Sequence, residues 1–422
     1  MQTSNKKAAI GFIFVTLLID CMGWGLIIPV MGELISQLKG IPANEASTYG
    51  SYLLTAFAAT QFVFSPIIGN LSDRYGRRPV LLSSLLGFGI DYIILAVAPA
   101  YGWLFIGRVI AGITGASFTT ASAYIADVST DATSRAKNFG LIGAAFGLGF
   151  VLGPALGWLL STWGVRAPFW GAAVLCLLNC LFGYFVLPES LGKENRRAFD
   201  WKRANPFGSM KFLFRHPNIG GLAFSFFLIY LAVQAVQGNW NFFTMYRFGW
   251  TPKLIGISLA VVGVLVGGVQ AGLTRVVNPK IGNEKSIYLG LSFYTLGLIL
   301  FALATQSWMM FVFLIPYCLG GIASPALQSV ISGHVAPNEQ GALQGALTSL
   351  MSLTTIIGPL IMSETFAYFS GKKAPFYFPG MHFLLGALFM LLAVLVAGPV
   401  LSKDRREHPE LIHGGAGDAP VH

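Results

Sequence analysis

The sequence predicts an all-α integral membrane protein with twelve transmembrane helices in two six-helix bundles. Three observations carry this. Of 422 residues, 55% are hydrophobic and 10% charged, with mean hydropathy +0.67; soluble domains carry about 25% charged residues. Apolar runs of about 20 residues, the length that crosses a bilayer core, recur along the chain. One long polar segment, "PESLGKENRRAFDWKRANPFGSMKFLFRHP" (188–217), divides these runs six and six.

The spans are expected near 8–30, 47–70, 79–98, 101–126, 136–160 and 167–187, then 219–243, 254–276, 286–305, 308–333, 341–367 and 379–400. The domains follow: an N-terminal bundle at 1–187, a connector at 188–218, a C-terminal bundle at 219–400 and a tail at 401–422. Lys6-Lys7 before the first run resembles a signal peptide. The run is too long and no small-residue cleavage site follows, so it reads as a retained span. The 34 Phe and 9 Trp suit lipid-facing and interfacial surfaces. Cys21, Cys176, Cys180 and Cys318 all lie in apolar runs and read as small buried residues. Cys176 and Cys180 share a helix face, but no His or further Cys stands near them, so no metal is expected.

Positive charge sets the expected orientation. With the N-terminus cytoplasmic, cytoplasmic segments hold 20 of the 27 Lys and Arg, and outer loops hold six. The remaining one, Arg108, is inside a span. Both termini and the connector are therefore expected in the cytoplasm. The net charge of +10 needs no nucleic-acid partner to explain it.

The halves repeat weakly. "GASFTTASAYIADVSTDATSRAKNFGLIGAAFGLGFVLGP" (115–154) parallels "GIASPALQSVISGHVAPNEQGALQGALTSLMSLTTIIGP" (321–359). Each starts in a small-residue cluster, passes a polar turn and ends in Gly-Pro. Between spans 2 and 3 lies "GNLSDRYGRRPV" (69–80). Gly69 and Gly76 permit close approach and a tight turn. Asp73 can accept hydrogen bonds from Arg77 or a helix N-terminus. A solvated basic loop explains Arg74, Arg77 and Arg78 but not the Gly-Asp-Gly spacing. "GLGFVLGPALGW" (147–158) places Gly149, Gly153 and Gly157 around Pro154, a pattern that lets neighbouring helices close in.

These segments resemble the major facilitator superfamily. The loop matches its G-x-x-x-D-R-x-G-R-R motif, and span 5 its antiporter motif. The similarity is closest to the twelve-helix drug:proton antiporters, the bacterial tetracycline/proton antiporters among them. It runs through "LLIDCMGWGLIIPV", "IGRVIAGITGA", "AYIADV", "LPES" and "GGIASPALQSVIS". The resemblance implies a monomeric transporter of the bacterial inner membrane, without cofactor, driven by a proton gradient. It implies a substrate site between the halves near the midplane. It implies that the loop 2–3 motif latches the cytoplasmic side, with Asp127 as its partner. The second-half loop, "VVNPKIGNEKS", has lost that Asp. The tetracycline exporters carry an aspartate in span 9 and a histidine in span 8. Here Tyr294 and Val266 stand at those places, which argues against the tetracycline–metal chelate as substrate.

Four charged residues lie well within spans: Asp20, Asp91, Arg108 and Glu364. At about 1.5 Å per residue, Asp20 and Asp91 lie about 18 Å from the cytoplasmic face and Arg108 about 10 Å from the outer face. In a core of about 30 Å the three reach similar depth. An intramembrane Arg costs roughly 2.5–3.5 kcal/mol unless paired. A static Asp91–Arg108 pair, with Asp20 held by polar neighbours, is one reading. Two acids against one Arg leave a carboxylate in excess, which proton coupling requires, and this reading is preferred; the resemblance assigns these positions the same role. Glu364, late in span 11, reads as a solvated interfacial carboxylate.

Span 7, "FLIYLAVQAVQGNWNFF", is the most polar. Gln234, Gln237 and Asn241 recur at spacing three or four, with Tyr230 and Trp240 beside them. With Gln270 of span 8 and Gln61 of span 2 they suggest an aromatic, amide-lined cavity for amphipathic, weakly charged small molecules; interhelical hydrogen bonding is the competing reading. Import of a metabolite on the same fold is the functional alternative. An enzyme is disfavoured, since no nucleotide loop, metal cluster or nucleophile–base set occurs in the sequence.

Overall fold

The computed structural model describes residues 2–115, 117–128, 132–199, 201, 217–335, 339–372 and 374–409. Most of the expected connector (202–216) and tail (410–422) lies outside the described residues. The described residues form helices and short turns, with no strand. In a bilayer every backbone group needs an internal partner, and a helix supplies that within one segment.

In chain order the helices are α1 (Gln2–Lys39), α2 (Ala43–Tyr75), α3 (Arg77–Val97), α4 (Tyr101–Thr114), α5 (Ser117–Val128), α6 (Ala132–Ser161) and α7 (Ala167–Val186). After the connector come α8 (Pro217–Gln237), α9 (Trp240–Phe248), α10 (Pro252–Gly268), α11 (Thr274–Ile281), α12 (Asn283–Leu303), α13 (Ser307–Leu319), α14 (Ala323–Gly333), α15 (Gln340–Ser370) and α16 (Met381–Glu407). Among the described residues, eleven segments are long and apolar enough to cross a membrane. The remaining expected span, 254–276, is α10, a π-helical turn at Val269–Leu273, and α11. Its apolar part ends early because Thr274, Arg275, Asn278 and Lys280 follow.

Three expected spans are interrupted helices. Span 4 is α4 plus α5, with Gly115 at ψ 55° leaving the helical region. Span 7 is α8 plus α9, parted at Gly238-Asn239. Span 10 is α13 plus α14, joined by a 3-10 turn at Gly320–Ile322.

The chain divides into two compact units: Met1–Pro206 with Thr244–Gly263, and Phe207–Phe243 with Val264–His422. In the first unit α1 packs chiefly on α6, α2 on α4, and α3 on α7. The α1–α6 contact is made by glycines at every fourth position. A Cβ on Gly153 would stand 2.8 Å from Gly25 Cα, and one on Gly157 would stand 2.9 Å from Leu26 Cα. Gly149 abuts Cys21 in the same way. A core of Phe12, Ile13, Leu17, Leu81, Leu85, Ala121, Tyr124, Ile125 and Leu187 fills the end of this unit nearest the connector. In the second unit α8 packs on α15 and α16, and α12 on α13 and α16. Its core is aromatic: Trp240 meets Phe301 at 5.1 Å and Phe243 meets Phe383 at 5.0 Å between ring centres.

Candidate functional site

The three membrane-embedded charges of the first unit gather in one neighbourhood. Asp91 is fully buried and Arg108 is 3% exposed. They form a charge-assisted hydrogen bond, Arg108 Nη2 donating to Asp91 Oδ2. Glycine makes room for it: a Cβ on Gly107 would stand 2.7 Å from Asp91 Oδ1. The guanidinium also lies 5.8 Å from the ring centres of Trp24 and Tyr92 and 6.0 Å from that of Phe57. Rings from α1, α2 and α3 thus surround it, and their negative faces attract a cation. Asp20 reaches the same region from α1. Gly23, nearly one turn further on, abuts the Tyr92 hydroxyl, which lies in the field of Asp20, Asp91 and Arg108. Ser117, the first residue of α5, is buried.

This set is incompletely satisfied. Asp20 Oδ1, Asp91 Oδ1 and Arg108 Nε are buried without a hydrogen-bond partner among the described residues. A buried carboxylate oxygen with no donor is costly to keep charged, and adding a proton relieves the cost.

The turn between α2 and α3 is a second polar cluster. Gly76 adopts φ +108°, and a Cβ there would also strike the Glu189 carboxylate. Asp73 pairs with Arg77 at 2.5 Å, and Arg77 Nε reaches Asp127 Oδ2 at 3.2 Å. Ser190 donates to the same Asp127 oxygen at 3.0 Å. Glu189 accepts the first two amides of α3, from Arg77 at 2.8 Å and Arg78 at 3.3 Å. Arg78 in turn donates to the Tyr184 carbonyl. Inside α2 the Gly69 carbonyl accepts a hydrogen bond from Ser72, and Arg74 lies over the Tyr75 ring.

The expected substrate residues disperse. Gln61 lies in the first unit, where its Nε2 donates to the Gly115 carbonyl at 2.9 Å. In the second unit, Tyr230 and Gln234 stand one turn apart on α8. Tyr230 packs on Phe226 with ring centres 4.6 Å apart, and Gln234 Nε2 donates to Thr355 Oγ1 at 3.4 Å. Gln237 and Gln270 are exposed. Trp240 and Asn241 lie past the break on α9, both buried, with Asn241 Oδ1 accepting the Phe242 amide at 2.9 Å. The three-to-four spacing does not form one face because α8 ends at Gln237. Tyr294 packs against Tyr317 and Gly320, while Val266 is half-buried and Glu364 exposed.

Sequence reasoning missed Glu189, Ser190, Tyr92 and the buried pair in which Ser363 donates to Asn239 at 2.8 Å. Glu189 had a usable signal: an acid at the end of span 6, facing a loop of three arginines.

The sequence model of the Major Facilitator Superfamily matches residues 13–359 and 280–419. The chain belongs to that superfamily. It is a membrane transporter of many spans and not an enzyme. This superfamily member is 40% identical over 394 residues to the tetracycline resistance protein, class C, of Escherichia coli, covering 93% of this chain and 96% of the relative. It is 38% identical over 403 residues to the class G protein of Vibrio anguillarum, covering 94% and 98%. Its fold resembles the crystal structure of a bacterial homolog to the human lysosomal transporter Spinster, with TM-score 0.75, 14% identity and 99% coverage of each chain. The twelve-helix major facilitator fold read from the sequence is thus the fold of the chain.

Proposed function

We propose that this major facilitator protein is a proton-coupled antiporter that exports amphipathic small molecules across the bacterial inner membrane, its termini in the cytoplasm. The observation that carries the reading is the buried Asp91–Arg108 pair, with a second carboxylate, Asp20, one turn from Trp24, whose ring lies 5.8 Å from that guanidinium. A single static pair needs no second acid. The proton gradient is the energy source, and no cofactor takes part.

Export is favoured over uptake because relatives covering nearly the whole chain are named for antibiotic resistance. A membrane transporter confers resistance by removing its drug. Tyr230, Gln234 and Thr355 of the second unit are proposed to face substrate, since Gln234 and Thr355 bond across packed helices one turn from Tyr230. Gln61 is proposed instead to hold the end of α4. Asp73, Arg77 and Asp127 are proposed to latch and release the connector side during alternating access.

Reconstitution into proteoliposomes tests this. A lipophilic, weakly charged dye is loaded, and a pH gradient is imposed. Substrate movement against the proton flow is expected, and Asp91→Asn abolishes it. Flux that ignores the pH gradient overturns the reading.

A further inference from the structure

Span 10 ends in a histidine whose ring meets an oxygen at each nitrogen. His334 follows α14, and its amide donates to the Ile331 carbonyl at 3.3 Å. Its side chain is 7% exposed. Nδ1 lies 2.9 Å from the Val330 carbonyl, and Nε2 lies 3.0 Å from Asp404 Oδ1 of α16. Asp404 is buried, and its other oxygen, Oδ2, has no hydrogen-bond partner among the described residues. α14 packs on α12 and α8, and the His334–Asp404 contact adds a tie to α16.

A carbonyl oxygen only accepts hydrogen bonds, and so does an ionised carboxylate. The two contacts therefore need two hydrogens, and a neutral imidazole carries one. With one more proton, shared between Nε2 and Oδ1, both contacts are hydrogen bonds. Without it, one contact sets a nitrogen lone pair against an oxygen lone pair, and Asp404 loses its counter-charge. A buried carboxylate without a partner is costly, so the tie then loosens toward water. A cavity of about 270 Å³ borders both side chains and leaves room for that water. The tie is made in acid and lost as pH rises, over the range in which histidine ordinarily changes charge.

The repeat between the halves gives the pair its setting. Gly76 and Gly282, both at positive φ, precede α3 and α12 and stand 206 residues apart. At that spacing Arg77 and Asp127 fall on Asn283 and Gly333. The Arg77–Asp127 pair at the end of α5 thus has no ionic counterpart at the same place on α14. There Asn283 donates to Ser329 at 3.4 Å, and His334, beside Gly333, makes the contact to an acid. Arginine keeps its charge at any physiological pH, whereas histidine does not.

We propose that His334 and Asp404 form a regulatory proton-binding site: the bound proton ties span 10 to span 12 and slows transport, and its loss frees the end of α14. The site is separate from Asp20, Asp91 and Arg108 and does not depend on their role. The proposed orientation puts this end in the cytoplasm, so protons admitted in exchange for substrate act back on it. The charged groups around the pair are mostly engaged with each other. On α16, Lys403 pairs with Glu407 at 3.6 Å, and Arg405 reaches Glu284 of α12 at 3.4 Å. The His408 ring centre lies 5.8 Å from that of His334. Lys285 of α12 is exposed, Glu339 precedes α15, and α8 carries no charged residue.

Amide hydrogen exchange of the full chain in lipid nanodiscs, corrected for intrinsic exchange, tests the site at the amides of His334 and Val335, which close α14. From about pH 5.5 to about pH 8 their exchange is expected to speed about tenfold, the scale of one lost hydrogen bond. Asp404→Asn keeps the tie at every pH, because its amide donates to a neutral Nε2 and its carbonyl accepts from a protonated one. In that variant the change is expected to stay under about twofold, with exchange slow throughout. His334→Ala is expected to exchange fast throughout, and His408→Gln to keep the wild-type response. Export from proteoliposomes at a fixed pH difference tests the regulation. Wild-type rates are expected to fall about fivefold as the pH on the α14 side drops from about 8 to about 6, while Asp404→Asn stays slow and nearly constant. An equal exchange response in wild type and Asp404→Asn overturns the site, as does a response that His408→Gln abolishes. An equal fall of export in both proteins overturns the regulation. The exchange measurement needs no transport, so its failure is distinct from a failure of the antiport reading.

Discussion

Arg108 has five N–H donors, a single carboxylate partner and three aromatic rings around it. Asp91 is therefore the group that compensates its charge. Removing one member of a buried pair leaves an uncompensated charge and costs about 3–5 kcal/mol. Asp91→Asn is expected to lower thermal stability by that order and to abolish coupling. Pairing it with Arg108→Gln is expected to restore most of the stability, because both charges leave together, while transport stays uncoupled. Asp20→Asn removes a buried charge that has no cation bound to it, so stability is expected to hold within about 1 kcal/mol while coupling is lost. Unfolding in detergent, followed beside flux in proteoliposomes, separates these outcomes. If Asp91→Asn is as stable as Asp20→Asn, the pair does not carry the charge balance described here.

Helix interruptions were the part of the fold least legible in the sequence. The spans themselves were readable, because a bilayer demands long apolar runs and this chain has few charges to blur them. Within an apolar run nothing in the hydrophobic pattern distinguishes a continuous helix from two helices meeting at a turn. The small-residue clusters at 115 and 321, noted as a repeat, coincide with two of the three breaks. Glu189 shows the opposite case, a residue whose role depends on a contact 112 positions away in the chain. It accepts two amides at the start of α3, a cap supplied from another segment. Glu189→Leu is expected to cost about 0.5–2 kcal/mol, as lost caps do, and to fray the first turn of α3 in hydrogen exchange. The α1–α6 contact makes a harsher test. Gly153→Val places a branched side chain against the backbone of Met22 and Gly25, and overpacking of this kind costs about 1–3 kcal/mol. Reduced yield and a lower unfolding temperature are expected; wild-type stability would mean that α1 and α6 can part without penalty.

The repeat between the halves shows how the molecule divides its chemistry. Gly76 and Gly282, both at positive φ, stand 206 residues apart, as do Gly115 and Gly321 at the breaks in spans 4 and 10. Carried over at that spacing, Asp91 and Arg108 fall on Gly297 and Leu314, which pack on helix backbone or lie buried. The charged pair therefore belongs to one half of a duplicated framework. The polar groups buried within the spans of the second unit are neutral in the main, Gln234, Asn239, Ser363 and Thr354 among them. Such a division predicts that coupling and substrate preference can be altered separately. Gln234→Leu removes an amide but no titratable group. It is expected to raise the KM for a hydrogen-bonding substrate by about tenfold, the scale of one lost buried hydrogen bond, with the number of protons per substrate unchanged. Asp20→Asn is expected to do the reverse, leaving substrate binding near wild type while counterflow loses its dependence on pH. Both are read in the same proteoliposomes, from initial rates over a substrate series and from the pH gradient at which net flux stops. A Gln234→Leu protein with altered proton stoichiometry would show that the second unit takes part in coupling, and the division would fall.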